Sequence, residues 1–229
     1  VFTVLKVTVY LFGLDTIVAA GANEWILYVA ATTILLASLI AMTKDNLKAR
    51  LAYSTVSQLG YIVLGALLAT ELGILGGSMH IATHAVGKIT LFFGAGAIMV
   101  AAHKTEVSQL DGLGRRMPFT FAAFTIGALS IIGLPPFAGL WSKWYLALAT
   151  IEADYLWLLG VLIISSLLNI VDMLVIPVRA FFLVPADGES GWKEAPTACL
   201  IAMGVTATGC VILFLFPDSL YRLAAMVAG

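Results

Sequence analysis

Apolar residues run through the chain in seven long segments separated by short polar connections: Val1 to Ala20, Trp25 to Met42, about Leu47 to Ala69, Gly73 to Ala102, Pro118 to about Ile151, Tyr155 to Val184 and Pro196 to Phe216. A helix needs about 20 apolar residues to cross the hydrocarbon core of a bilayer. The pattern therefore predicts an all-α integral membrane protein with about seven transmembrane helices. The fifth segment is interrupted by Leu134-Pro135-Pro136-Phe137-Ala138-Gly139. Two adjacent prolines remove backbone donors, so Pro135, Pro136 and Gly139 predict a helix break inside the membrane. No extramembrane domain or low-complexity tract is visible.

Composition agrees. Hydrophobic residues make up 61% of the 229 residues and charged residues 11%, with a mean hydropathy of +1.04. Soluble domains carry roughly a quarter charged residues. The net charge of -1 says little, whereas its distribution says more. Lys44, Lys48, Arg50, Lys104, Arg115, Arg116, Arg179 and Lys193 fall in the second-third, fourth-fifth and sixth-seventh connections or at their edges. The opposite connections hold Asp15, Glu24, Glu71, Glu152 and Asp154, and only Arg222 in the C-terminal tail is basic on that side. This positive-inside pattern places the basic connections in the cytoplasm and the C-terminus outside. It fits a multi-pass protein of the cytoplasmic (inner) membrane of a prokaryote. Val1 lies within an apolar run, with no initiator Met or basic region before it, so the chain reads as the later part of something longer. Cys199 and Cys210 are eleven helical residues apart, about 16 Å, too far for a disulfide.

A charge inside a span is costly and marks function by default. Lys88 is far from either end of its segment, and with His80 and His84 it forms a stripe at i, i+4 and i+8. Histidine titrates near neutrality, and a desolvated amine can lose its charge, so such a stripe can relay protons. The plainer reading is polar packing between helices. Lys143 follows the double-proline break, and broken helices beside ionisable groups are a recurring transporter device. Lys6 sits within the first segment. Asp172, one turn after Asn169, is either a counter-charge for a lysine or a protonated packing residue. Ser54, Ser57, Gln58 and Tyr61 form a polar stripe whose plainest role is inter-helix hydrogen bonding, with water lining as the alternative.

Three ordered motifs carry a resemblance. Asp45-Asn46-Leu47-Lys48-Ala49-Arg50-Leu51-Ala52-Tyr53-Ser54-Thr55-Val56-Ser57-Gln58-Leu59-Gly60-Tyr61 resembles the hallmark segment of the antiporter-like membrane subunits. These belong to respiratory complex I, membrane hydrogenases and multisubunit Mrp-type Na+/H+ antiporters. His80-Ile81-Ala82-Thr83-His84-Ala85-Val86-Gly87-Lys88 with Leu91-Phe92-Phe93 is similar to a second family segment. Leu134-Pro135-Pro136-Phe137-Ala138-Gly139-Leu140-Trp141-Ser142-Lys143 is similar to a third.

The resemblance implies a fourteen-helix fold of two inverted five-helix repeats, each with one broken helix. On that map residues 1–20 end a preceding transmembrane helix, 24–184 form one complete five-helix repeat, and 196–216 are the final span. It also implies a proton path through Lys6, His84, Lys88 and Lys143, with His80 on the same stripe. The family's glutamate-lysine pair belongs to the other repeat. The wording around Trp141-Ser142-Lys143-Trp144-Tyr145 looks most like D-type Mrp subunits. The expected function is proton or Na+/H+ translocation in a multisubunit cation/proton antiporter. The alternatives are a proton-pumping subunit of complex I (NADH-quinone oxidoreductase) or a membrane-bound hydrogenase, and a scaffold that has lost transport. Retained in-span charges disfavour the scaffold. The implied partners are neighbouring membrane subunits, the lipid bilayer, H+ and the alternative cation Na+. No catalytic site, cofactor, metal or nucleic acid is implied. A retinal protein would need a lysine in the last span, which has none, and His80-x-x-x-His84 has Ile81 where a zinc peptidase needs glutamate.

Overall fold

A computed structural model describes residues 1–21, 23–185 and 191–228. The described residues form ten α-helices joined by short turns and no strand. The first expected span is not one helix. α1 (Phe2–Lys6) continues as a π-helical stretch, Val7–Phe12, and stops at Gly13, whose φ of 77° suits a residue without a Cβ. α2 (Leu14–Ala20) then restarts the chain. The next segments fold as α3 (Asn23–Thr43), α4 (Leu47–Leu67) and α5 (Glu71–Ala102). The fifth segment divides at the prolines into α6 (Pro118–Ile132) and α7 (Gly139–Glu152). α8 (Leu156–Phe182) and α9 (Thr197–Leu215) follow the expected limits closely.

A tenth helix, α10 (Asp218–Ala228), was not anticipated, because Asp218 and Arg222 break its apolar run. Its signal is the i, i+4 pair Leu220 and Ala224, which packs on Leu75, Met79, Trp141 and Tyr145.

Four helices among the described residues are long and apolar enough to cross a membrane: Glu24–Thr43, Glu71–Ala102, Leu156–Phe182 and Thr197–Leu215. α4 has 21 residues, length enough to cross, but it is more polar, with Lys48 and Arg50 in its first turn. α6 and α7 have 15 and 14 residues, so neither half of the broken pair is long enough alone.

Local chemistry fixes the ends. The Asn46 side chain caps α4 by accepting from the Ala49 N–H at 3.0 Å, and Thr70 caps α5 through the Gly73 N–H at 3.0 Å. Pro118 opens α6, where a missing N–H costs nothing. Glu194, from the connection before α9, accepts from the Phe119 N–H and the Thr120 hydroxyl, both at 2.7 Å, and so satisfies that helix start from outside. At the basic end Arg179 grips Asp111 with two hydrogen bonds of 2.7 and 2.9 Å. Nearby, the Ser108 hydroxyl donates to Asp45 at 2.6 Å and its N–H at 2.9 Å, holding that exposed carboxyl below its ordinary range. The contact therefore contributes above the usual carboxylate range and is lost as pH falls through the lowered value.

α5 is the centre of the bundle, packed on α4, α6, α7, α9 and α10. Lipid gives no hydrophobic drive between helices, so close backbone approach at small residues carries much of the packing. A Cβ on Gly65 would stand 2.6 Å from the Gly73 carbonyl, and one on Gly73 would stand 2.5 Å from the Gly65 carbonyl. Across α5, a Cβ on Gly76 would be 2.9 Å from the Leu146 amide of α7. Gly65→Ala should therefore force α4 from α5 and destabilise by about 1–3 kcal/mol. Thermal unfolding in detergent reads this, and an unchanged midpoint would show that the approach is not a constraint.

Candidate functional site

Arg50, Ser54, Gln58 and Tyr61 advance along α4 by four, four and three residues and so share one face. Each touches a different ionisable group. The Arg50 Nε is 3.5 Å from Asp172 Oδ1. Lys88 Nζ donates to Ser54 Oγ at 2.8 Å and to the Leu51 carbonyl at 3.2 Å. Gln58 Oε1 is 3.1 Å from His80 Nε2. Lys143 Nζ lies 5.0 Å from the centre of the Tyr61 ring, a cation–π contact. From Arg50 to Tyr61 the helix rises about 16 Å. The row thus climbs along α4 from the basic end of the bundle.

α5 supplies the other side. His80, His84 and Lys88 are 2%, 7% and 5% exposed, so the expected stripe faces wholly inward. The two imidazoles are 5.8 Å apart and nearly parallel, and His80 also stacks on Tyr61 at 5.5 Å. Both His80 nitrogens are engaged, since Nδ1 lies 2.8 Å from the Ser142 hydroxyl of α7. That hydroxyl also meets Thr83 Oγ1 and the Gly139 carbonyl, each at 3.2 Å. With one proton for three neighbours, its orientation and the His80 tautomer are coupled. An imidazole with a partner on each nitrogen can take a proton on one side and release it on the other. The neighbouring His84 Nε2 and Gln58 Nε2 are buried and make no hydrogen bond within the described protein.

The helix break positions Lys143. Its Nζ donates to the Ile132 carbonyl at 3.0 Å, in the last turn of α6, and to Ser166 Oγ of α8 at 3.3 Å. Carbonyls at a helix C-terminus are left without intrahelical donors and attract a cation. Gly133, with φ of 91°, ends α6 and leaves room, because a Cβ there would be 2.9 Å from Lys143 Cδ. Gly139 starts α7 directly against the Ser130 carbonyl, where a Cβ would collide. The Ala138 N–H reaches across to the Cys210 carbonyl of α9 at 2.9 Å. A cleft of about 300 Å³ opens beside the break, with Lys143, Tyr61 and Ser166 in its wall and apolar Leu134, Trp144 and Leu162 around them.

The other expected residues fall differently. Ser57 joins no ionisable group. It forms a buried hydroxyl cluster with Ser38 at 2.8 Å and Ser165 at 3.5 Å, and donates to the Ile34 carbonyl at 2.9 Å. Lys6 is exposed on α1, with its ammonium 5.6 Å from the Phe2 ring, and stands apart from the row. Asp172 is 1% exposed and lies against Arg50. Sequence reasoning missed the roles of Arg50, Ser142 and Ser166. Arg50 had a signal, since it lies four residues before Ser54 on the polar face. Ser142 and Ser166 had only adjacency to Lys143 and Ser165.

A membrane helix bundle closed round two buried lysines and two buried histidines, with a proline-broken helix at one end, is an antiporter-like architecture. Residues 1–169 match the family described as NADH:quinone oxidoreductase/Mrp antiporter, transmembrane, and the chain belongs to that family. It is 36% identical over 205 residues to NADH-quinone oxidoreductase subunit N of Desulforudis audaxviator, covering 84% of this chain and 41% of that protein. A chain in the structure of the Mrp complex from Dietzia sp. superposes with a TM-score of 0.83 at 25% identity, covering 91% of this chain and 48% of that one. A chain of respiratory complex I from Thermus thermophilus with bound NADH shares the fold, with a TM-score of 0.85 at 24% identity over 98% of this chain and 48% of its own length. The chain spans less than half the length of these proteins.

Removing the Ser142 hydroxyl leaves a buried imidazole nitrogen without its partner. Ser142→Ala should destabilise the protein by about 1–3 kcal/mol, read from its unfolding midpoint. No change would show that the His80 bond is not holding α7 to α5.

Proposed function

We propose that this chain translocates protons along the buried row His80, His84, Lys88 and Lys143, as part of a membrane subunit in a multisubunit cation/proton antiporter. The observation that carries the reading is the α4 face, which lodges Lys88, His80 and Lys143 one above another in hydrogen-bonding or cation–π contact. A file of proton-holding groups at successive heights is what a relay needs. Lys88 receives its partners from Ser54 and Leu51, His80 accepts and releases on opposite nitrogens, and Lys143 stands at the break beside the cleft. Residues 24–184 act as one repeat of the inverted pair, between the broken helical segment in residues 1–20 and the final span 196–216. Lys6, exposed on α1, stands outside this row. The partners are other membrane subunits of the same complex.

A second host is favoured by one observation. The 36% identity to NADH-quinone oxidoreductase subunit N points to a proton-pumping part of a redox-driven complex. In either host the row is the same, and the subunits that copurify with the chain decide between them.

Arginine keeps its charge and cannot release a proton. Lys88→Arg and Lys143→Arg should each abolish most proton flux in proteoliposomes holding the assembled complex, as should the alanine variants. Normal flux in both arginine variants would make these residues fixed charges and end the relay reading. Orientation is tested separately. Single cysteines near Lys104 and near Glu152 should label from opposite faces of sealed vesicles, with the Lys104 side cytoplasmic. Labelling from one face would contradict the inverted-repeat topology.

A further inference from the structure

The row has a member at its basic end that the relay above leaves unused. Asp172 is 1% exposed, and neither of its carboxylate oxygens makes a hydrogen bond among the described residues. One turn earlier on the same face of α8, Asn169 is equally buried, and both polar atoms of its amide also lack partners. Four buried polar atoms without partners at one place are unusual, because most such atoms are paired. They point to a compartment where something small and hydrogen-bonding is exchanged. One turn further on, Pro177 lies inside α8 and removes the N–H that would otherwise meet the Met173 carbonyl.

The charged groups facing Asp172 come from two other helices. Arg50 of α4 lies with Nε 3.5 Å from Oδ1, and Lys88 of α5 is held one turn further along α4, on Ser54 and the Leu51 carbonyl. Arg50 is not free to follow the carboxylate. Its guanidinium donates to the Lys44 and Met42 carbonyls, both at 2.9 Å, and to the Asp172 backbone carbonyl at 3.3 Å. It is spent on the backbone at the end of α3 and on α8, and it offers the carboxylate only a long contact. A buried carboxylate that served simply as a counter-ion would be held by short, paired hydrogen bonds. The partly exposed Asp111–Arg179 pair, with bonds of 2.7 and 2.9 Å, shows such paired contacts in this protein.

We propose that Asp172 is the proton-accepting group at the basic end of the row, exchanging its proton with Lys88, with Arg50 as the residue that positions it. The assignment rests on the proton-translocation reading and extends it. A proton arriving from the basic side converts the Asp172 carboxylate to the carboxyl. The carboxyl then passes that proton, through water in the Asn169 compartment, to the neutral Lys88 amine, leaving carboxylate and ammonium, with the Lys88 nitrogen held on Ser54 and Leu51. The Asn169 amide, able both to donate and to accept, holds a water in either state of the carboxyl. On the α4 scale Arg50 comes before Ser54, which places this exchange between the basic surface and Lys88.

The test uses the assembled complex in proteoliposomes. Asp172→Asn should lower proton flux about a hundredfold, the scale of a lost proton-transfer group, with subunit composition unchanged. Asp172→Glu should keep measurable flux with a displaced pH profile. The double variant Arg50→Gln, Asp172→Asn restores charge balance and should remain as slow as Asp172→Asn. Normal flux in the double variant would reduce Asp172 to a counter-ion for Arg50 and overturn the assignment. Normal flux in Asp172→Asn while Lys88→Ala is inactive would overturn it for Asp172 alone, whereas normal flux in both would overturn the row with it. Infrared difference spectra between low and high pH give an independent reading. The unmodified complex should show a protonated-carboxyl band that moves in Asp172→Glu, and a band unmoved by that change would assign the proton elsewhere.

Discussion

An ammonium group inside a bilayer must find hydrogen-bond acceptors or lose its charge, and the rest of this structure follows from where those acceptors are. For Lys88 they are Ser54 Oγ and the Leu51 carbonyl, both on α4. That choice orients α4, and with it the face that carries Arg50, Gln58 and Tyr61. Once α4 is set, His80 meets Gln58 and Lys143 meets Tyr61 without further adjustment. The lysine is thus as much an organiser of packing as a candidate carrier. Burying it is tolerable because partners on a neighbouring helix are already in place.

The same constraint explains the break in the fifth segment. A continuous helix would satisfy its own carbonyls and leave nothing for Lys143. Ending α6 at Gly133 frees the Ile132 carbonyl to accept from that lysine. The two halves stay together because Gly139 lets α7 begin against the Ser130 carbonyl, and Gly76 lets α7 lie on α5. Backbone irregularity, glycine contact and buried charge form one arrangement. The irregular segment is anchored at its far end, where Ala138 and Gly139 are buried and the Ala138 N–H meets the Cys210 carbonyl of α9, while Leu134, Pro135 and Pro136 stay exposed.

Much of this was legible in the sequence. The His80, His84 and Lys88 stripe follows from a spacing of four, and the break follows from Pro135 and Pro136, because both are local properties of one helix. What a single helix cannot show is its rotation against its neighbours. Glycine contacts such as Gly65 on Gly73 permit the close approach at which that rotation is fixed, with Ser54 and Gln58 on the row while Ser57, on the same stripe, turns to Ser38 and Ser165. The Arg50–Asp172 contact joins residues far apart in the chain and had no local signal. The stop at Gly13 and the short helix α10 were hidden for a different reason. Gly13 lies inside an apolar run that gives no boundary, and Asp218 and Arg222 interrupt the apolar run of α10.

The central claim is that the buried groups form one electrostatically linked row. Nitrogen chemical shifts of His84, followed as a function of pH in the intact protein and in Lys88→Met, test it most directly. A linked row predicts that the His84 titration midpoint moves when the Lys88 charge is removed. Superimposable titrations would show two independent sites and contradict the account.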